Sequence, residues 1–446
     1  MPSLGLQRLS SKRPRKTSSP SPATPDGTTD HLTPLPDEMV EEILRRLPLD
    51  DAVRTSFLAK PWRFRWTNCP GLELSAQDPP AAVDFFLTRY GCDVSRAHLE
   101  VPHESLGKID GWIRALAAKG IRCLAVCFIP EGALRLPLLP ASLFSCGELT
   151  TLMLKHCDIP ALPPGFDGFP GLLELKLEYV NFGEDGERTF EALIAKSPSL
   201  TCLSILFPSI SSDDDDDEEN YNYREWKIRA PNLKIFKMSA WEDYGWSVDD
   251  LPLIEEACVQ LEGPELSRIL PGLANVWNLS VEIADDDTIL RRLPYFINLK
   301  CLSLYTFLTN SSTVLSMLCI LSNAPILEDL RITLLHENEE TMEVNMDELV
   351  LNTLGTVEWL FSRLKHFCLD QSIGHRNEMQ FIELLMSKAI VLQQIEISVR
   401  DDSSKSLEAV FYELSQYKKA SSSQAEVIVN RFVDCYMDRI EDDEEP

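Results

Sequence analysis

"LCILSNAPILEDLRI", residues 318–332, holds two rhythms side by side. It opens as the apolar end of a helix and passes through a short turn. It closes on Leu327-x-x-Leu330-x-Ile332, whose last four positions alternate as a strand with one buried face. "EALIAKSPSLTCLSI" (191–205) and "ELLMSKAIVLQQIEI" (383–397) align with it without gaps. Helix end, turn and strand written three times in one chain point to a repeated unit.

The six-residue frame Leu-x-x-Leu-x-Leu recurs outward from these copies. Its first positions are Ile121, Leu149, Leu172, Leu200, Leu233, Ile254, Val276, Leu299, Leu327, Leu364 and Leu392, with Val94-Ala97-Leu99 as a weaker copy upstream. Successive starts lie 21 to 37 residues apart, close to the ~20–29 of leucine-rich repeats, with the longer intervals read as insertions. One such unit cannot bury its apolar face alone. The strands are therefore expected to stack in parallel into an irregular solenoid, with helices or turns on the other side, giving an α/β fold class. The asparagine that links neighbouring turns in regular repeats is mostly missing; Cys157, three residues after Leu154, holds that place once. Curvature is left open by this.

Residues 35–66, "LPDEMVEEILRRLPLDDAVRTSFLAKPWRFRW", follow another rhythm. Leu35-Pro36 enters a helix, Met39, Ile43, Leu44 and Leu47 recur at helical spacing, and Pro48 ends it. Asp50 reads as the N-cap of a second helix with Val53, Phe57 and Leu58 as its buried face. Leu35-Pro36-Asp37-Glu38, Ile43-Leu44, Leu47-Pro48, Asp51 to Ser56, Trp62-Arg63 and Trp66 stand at the spacing of the plant F-box, and residues 31–74 resemble that helical motif. Two positions depart from it: Pro61 replaces a basic residue, and Arg65 an apolar one. Proline lacks an N–H donor, so the chain must break before Trp62 or begin a new helix at Pro61. The resemblance implies docking on the Skp-type adaptor of a cullin-RING ubiquitin ligase. By motif position the contacts are Leu35, Pro36, Ile43, Leu44, Leu47, Pro48, Val53 and Trp62, some of which must instead pack the module.

"LKHFCLDQSIGHRNEMQFIELLMSKAIVLQQIEISV" (364–399) resembles the FBD region, with Gly374, Glu378, Phe381, Leu384-Leu385, Ala389 and Leu392 at its recurrent positions and Ser387 in place of a usual asparagine. In this order the three signatures resemble the plant F-box/FBD/leucine-rich-repeat family over nearly the whole chain. The expected organisation is a leader at 1–30, an F-box at 31–75, a solenoid at 76–360, an FBD-like region continuing the repeats at 361–435, and an acidic tail at 436–446.

Lys+Arg 42 against Asp+Glu 70 leaves a net charge of −28. Such a field repels phosphate backbones, so no nucleic-acid partner is expected and a basic protein surface suits it better. No apolar run approaches the ~20 residues of a membrane span, and the N-terminus lacks the apolar core of a secretory signal. The expected location is nucleus or cytoplasm. Lys12-Arg13-Pro14-Arg15-Lys16 in the leader reads as a solvated basic tail or a nuclear import signal.

Twelve cysteines are scattered with no Cys-x-x-Cys pair, which points to buried thiols and not to zinc. "SSDDDDDEEN" (211–220) reads as a solvated loop inserted into one repeat, since it lacks the spaced ligands and turn glycine of a calcium loop. No nucleophile elbow, phosphate-cradling loop or His-Glu-x-x-His is present, so no catalytic, cofactor or metal residues are assigned. Trp241, Tyr244 and Trp246 in "WEDYGW" read either as interface anchors or as cover for the solenoid.

The resemblance implies a non-catalytic substrate receptor: the F-box docks on the adaptor and through it on cullin, and the repeats hold a target protein. Two alternatives stay open. One is a leucine-rich-repeat scaffold whose degenerate F-box no longer reaches the ligase; the other is a sensor in which a small molecule bridges solenoid and target.

Overall fold

The computed structural model describes residues 35–432 except 48, 59–61, 70, 77, 131–134, 184–185, 211–224, 242–243, 250, 262–265, 284–292, 309–310, 336–359, 402, 404 and 422–423. The basic leader, Pro48, Pro61, the acidic run and the acidic tail thus lie outside the described residues.

In chain order the strands are β1 (Arg96–Val101), β2 (Cys123–Phe128), β3 (Thr151–Lys155), β4 (Asp158–Ile159), β5 (Glu174–Glu178) and β6 (Asn181–Phe182). There follow β7 (Cys202–Leu206), β8 (Ser209–Ile210), β9 (Trp226–Ile228), β10 (Ile235–Ala240), β11 (Trp246–Val248) and β12 (Glu256–Leu261). The series ends with β13 (Asn278–Ile283), β14 (Cys301–Thr306), β15 (Asp329–Leu334), β16 (His366–Ser372), β17 (Gln394–Val399) and β18 (Glu426–Arg431). Thirteen of these form one parallel sheet in the order β1-β2-β3-β5-β7-β10-β12-β13-β14-β15-β16-β17-β18. Two small sheets, β4-β6-β8 and β9-β11, lie outside it.

The register explains why the frame repeats. Leu124 faces Leu152, which faces Leu175, then Leu203, Phe236, Ala257, Leu279, Leu302, Leu330, Phe367 and Ile395 in one column across the sheet. Every member of that column is buried. The frame's sixth position forms a second buried column beside it, because strand side chains alternate faces with a period of two. Each expected frame is a strand of the main sheet, including the weaker copy at Val94. Only β18 was illegible, since exposed Gln424 stands where its frame would begin.

Two backbone devices join the turns without the missing asparagine. In nine repeats the N–H of the frame's first residue donates to the carbonyl three residues earlier, as Leu200 to Ser197 at 3.1 Å, Leu327 to Ala324 at 3.4 Å and Leu392 to Ala389 at 3.2 Å. The residue carrying that carbonyl is buried each time. The residue after the frame start then accepts two N–H donors from the next repeat: the Arg122 carbonyl takes Thr150 and Thr151, and the pattern runs on to Lys365, which takes Gln393 and Gln394. Buried backbone groups need partners, and here the main chain supplies them whatever the side chain. Cys157 is buried beside β4, where the Asn181 N–H donates to its carbonyl at 3.0 Å.

Helices Gly186–Ala195, Ser311–Ser322 and Arg376–Lys388 precede β7, β15 and β17, as the three aligned stretches require. They lay Phe190, Met317 and Phe381 into the shared core. The Arg376–Lys388 helix is tied by a buried carboxylate. The Ser372 hydroxyl donates to Glu378 Oε2 at 2.6 Å, and the Gly374 N–H donates to the same oxygen at 3.0 Å. Gly374 sits at φ +74°, a conformation that disfavours side chains. Replacing Glu378 by leucine is expected to cost about 2–4 kcal/mol, because two donors lose their acceptor inside the protein. Urea unfolding would measure it, with Glu378→Gln, which keeps an acceptor oxygen, losing less; equal loss in both variants would contradict the assignment.

Candidate protein-interaction sites

The N-terminal module consists of helices Asp37–Arg45 and Leu49–Arg54 and short 3-10 turns at Thr55–Phe57 and Arg65–Asn68. Asp37 and Glu38 open the first helix and Arg45 closes it, each complementing the helix dipole. The second helix begins at Leu49, one residue before the expected Asp50 cap. Its chain then tightens into the 3-10 turn, which alters the outcome for two residues expected to be buried. Phe57 is 88% exposed and Leu58 59% exposed, while Val53 is half-buried. A tightened turn rotates each residue further round the axis than an α-helix does, so Thr55 stays buried while Phe57 and Leu58 leave the inward face.

Of the residues expected at the adaptor, Leu35, Leu47 and Val53 are half-buried against the core, Pro36 is exposed, and Ile43 is partly exposed. Leu44 and Trp62 are a correction: both are buried in the chain's own core, so they hold the module together and offer no surface to a partner. Pro48 lies outside the described residues. The exposed large apolar side chains of the module are Met39 and Ile43, one turn apart on the first helix, Phe57 and Leu58 on the turn after the second, and Phe64, whose ring the Arg89 guanidinium covers. The sequence held a clue to this. Val40-Leu44 and Met39-Ile43 are two i,i+4 apolar pairs on one short helix, and only one can face inward. Arg65, a departure from the motif, bonds Asp37 in the first helix at 2.5 Å; such an exposed pair is worth at most about 1 kcal/mol.

The module is continuous with the solenoid. Trp66 is buried against Phe85 and Phe86 of the helix Pro80–Arg89, at ring-centroid distances of 5.6 and 6.2 Å. The Tyr90 hydroxyl donates to the Cys69 carbonyl at 2.7 Å, and burial pushes this phenol up to about 12. Leu74 bridges Ala97 of β1, so the last residues of the module already enter the sheet. Asp84 completes the seam, accepting from Lys108 at 2.6 Å and from Trp112 Nε1 at 2.6 Å. The lysine bond and then the indole bond hold its carboxyl below the usual carboxylate range, against the opposing effect of burial. A lowered folded value means that the stabilisation is present above the ordinary carboxylate range and is lost as pH falls through the lowered value. Asp84→Asn is therefore expected to flatten the acid limb below about pH 4 in a melting-temperature profile. A parent-like limb would disprove it.

The face of the main sheet turned away from the core carries the alternate residues of each strand. From β1 to β10 it presents Arg96, Lys155, Lys176 and Lys237 with Glu100, Glu174 and Glu178. From β12 to β18 it presents Glu256, Glu282, Asp329, Asp370, Glu396 and Glu426 with the single cation Arg331, apart from the titratable His366.

Comparison with known proteins bears on both surfaces. An F-box domain model matches residues 32–73, and the leucine-rich-repeat model of FBD-associated F-box protein At5g56370 matches residues 109–265. F-box/FBD/LRR-repeat protein At1g13570 of Arabidopsis thaliana is 26% identical over 428 residues, 88% of this chain and 96% of that protein. FBD-associated F-box protein At5g60610 of the same plant is 25% identical over 400 residues, 83% of this chain and 100% of its own length. Along most of its length the chain is thus similar to plant F-box/FBD/leucine-rich-repeat proteins.

Three thiols of the repeats are held away from reactivity. Burial pushes Cys146 up to about 11 and Cys368 up to about 12, and raises Cys157 further. Since the thiolate is the nucleophile, these side chains act as small core residues at neutral pH. Among the described residues no three His, Cys, Asp or Glu side chains gather into a metal-ligating group, and no helix is long and apolar enough to cross a membrane.

The "WEDYGW" aromatics divide. Trp246, in β11, is buried against Trp226 and Phe190 at 4.7 and 5.1 Å, whereas Trp241 is 61% exposed. Trp241 ends a stack that sequence reading missed. His156 lies on Tyr179 at 4.8 Å, Tyr179 on Phe207 at 5.1 Å and Phe207 on Trp241 at 4.5 Å. The four rings follow β3, β5, β7 and β10 in turn. His156, Tyr179 and Phe207 hold φ of 56°, 49° and 50°, costing roughly 1–2 kcal/mol each for a residue with a Cβ. Stacking returns about 0.5–1.5 kcal/mol per pair, so the ladder yields little net stability.

Proposed function

We propose that this protein is the substrate-recognition subunit of a Skp-cullin-F-box ubiquitin ligase acting in nucleus or cytoplasm. The observation that carries the reading is the exposure of the large apolar side chains Met39, Ile43, Phe57 and Leu58 on a module whose inner side is fixed to the solenoid. Large apolar side chains left in solvent on an ordered element mark an interaction site, and the F-box match selects a Skp-type adaptor as the partner. The repeats then hold a target protein beside the ubiquitin-transfer machinery that cullin carries. The receptor's contribution is local concentration and orientation of target lysines, with bond chemistry left to the other subunits.

The test is capture of the purified full-length chain by a Skp-type adaptor. Binding at a one-to-one ratio is expected. A folded chain that is not captured would sink the ligase reading and favour the scaffold. Deleting residues 1–75 is an unsuitable control, because it strips buried Trp66, Leu72 and Leu74 from the core.

A further inference from the structure

The aromatic stack ends where the open face of the sheet changes charge. Trp241 follows β10, the last strand of the half in which cations offset carboxylates, and the acidic half begins with the next strand, β12. Phe207 holds the indole at an interplanar angle of 29°, and Tyr179 touches it at 6.1 Å, so the ring is pre-positioned while 61% of the residue remains in solvent. Met238 pairs with Val259, and Val259 with Val281, so Glu282 lies two strands from the Trp241 chain, a lateral step of about 10 Å that an extended peptide spans in three residues.

We propose that Trp241 receives an arginine side chain of the target protein, within an extended basic segment that continues across the open face of β12 to β18. This rests on the reading of the repeats as the target-binding part and specifies the chemistry of that target. An indole face attracts a flat cation, and guanidinium both stacks and carries charge, which an ammonium does less well. Charge complementarity selects the occupant: six carboxylates against Arg331 on the adjoining strands, and −28 over the chain, attract a basic peptide and repel a phosphate backbone. The left-handed backbone at three successive ring positions fits the same reading, since strained conformations are retained where they position a binding group.

The test titrates the full-length chain with a fluorescein-labelled peptide of alternating Arg and Ser, read by fluorescence anisotropy, beside Lys-Ser and Glu-Ser versions. The arginine peptide is expected to bind more tightly than the lysine peptide, and the glutamate peptide not at all. Trp241→Ala is expected to weaken the arginine peptide about three- to fivefold, with Trp241→Phe recovering part of the loss. Glu282→Lys combined with Glu396→Lys is expected to weaken it about tenfold or more, whereas the same charge change placed elsewhere, Glu104→Lys with Glu148→Lys, has little effect. Equal losses from the two charge reversals would show that the peptide reads only net charge and would overturn the proposal; so would unchanged binding by Trp241→Ala. Adaptor capture by the same preparations separates the two readings. Lost capture with the expected peptide pattern sinks the ligase reading alone, and retained capture without that pattern sinks this one.

Discussion

Replacing Phe57 and Leu58 together by aspartate is expected to abolish capture of the chain by a Skp-type adaptor while its unfolding midpoint stays where it was. Both side chains stand largely in solvent, at 88% and 59% exposure, so the folded chain loses almost no internal packing. Surface changes of this kind usually stay within about ±0.5 kcal/mol of stability. At an interface the accounting differs, because an apolar anchor that fills a partner's pocket contributes about 2 kcal/mol or more on truncation. Two such anchors lost, with charges buried in their place, predict a fall in affinity of roughly 10²–10³-fold. Met39→Asp with Ile43→Asp should act in the same direction, from the adjoining helix. Leu44→Ala is the informative contrast: its side chain is buried, so it should lower stability before it touches affinity. Adaptor capture by Phe57→Asp/Leu58→Asp at parental strength would move the docking face elsewhere on the molecule.

The second large effect is expected at Gly168. This residue holds φ +104°, and a Cβ built on it would lie 2.1 Å from the Lys196 carbonyl oxygen and 2.6 Å from Lys196 Cβ. That carbonyl already accepts the Phe169 N–H at 3.0 Å, one of the bonds that seats the turn before β5. Alanine therefore meets backbone, which cannot swing aside as a flexible side chain would, and Phe169, buried among Phe144 and Phe166, must shift with it. A loss of about 3–5 kcal/mol is expected, the range in which strain and disrupted packing combine. Gly165→Ala isolates the two contributions. Gly165 also sits at positive φ, +84°, but nothing lies within 4 Å of its added Cβ, so only the backbone strain of about 1–2 kcal/mol should appear. Urea midpoints for the two variants provide the comparison. Equal shifts would mean that the turn relaxes around the new methyl group and that close approach is not what requires glycine.

The parallel sheet was legible because its signal is written in side chains. A strand with one buried face needs apolar residues two apart, and that alternation is present at every frame from Ile121 to Leu392. The last described strand carried only part of the signal: exposed Gln424 stands where its frame would begin, and Val427 and Val429 are only half-buried. The F-box module was legible as a motif and illegible in orientation. Helical spacing names the apolar residues around Leu44 without saying which stripe meets Trp66 and the helix Pro80–Arg89, and it does not foresee the 3-10 turn that puts Phe57 and Leu58 in water.

Spacing and motif order alone determined that this is a repeat protein with an N-terminal helical module of the F-box pattern, because hydrophobic periodicity is local and survives in one dimension. Tertiary structure decided what faces a partner. The stack from His156 to Trp241 joins residues 85 positions apart through left-handed backbone that His, Tyr and Phe do not favour, and nothing in their identities announces it. The acidic half of the open sheet face is likewise a sum over strands 22 to 37 residues apart. Such surfaces exist only after parallel register has brought distant residues to one side, which is why the chain's rhythm reveals its core and only its fold reveals its binding faces.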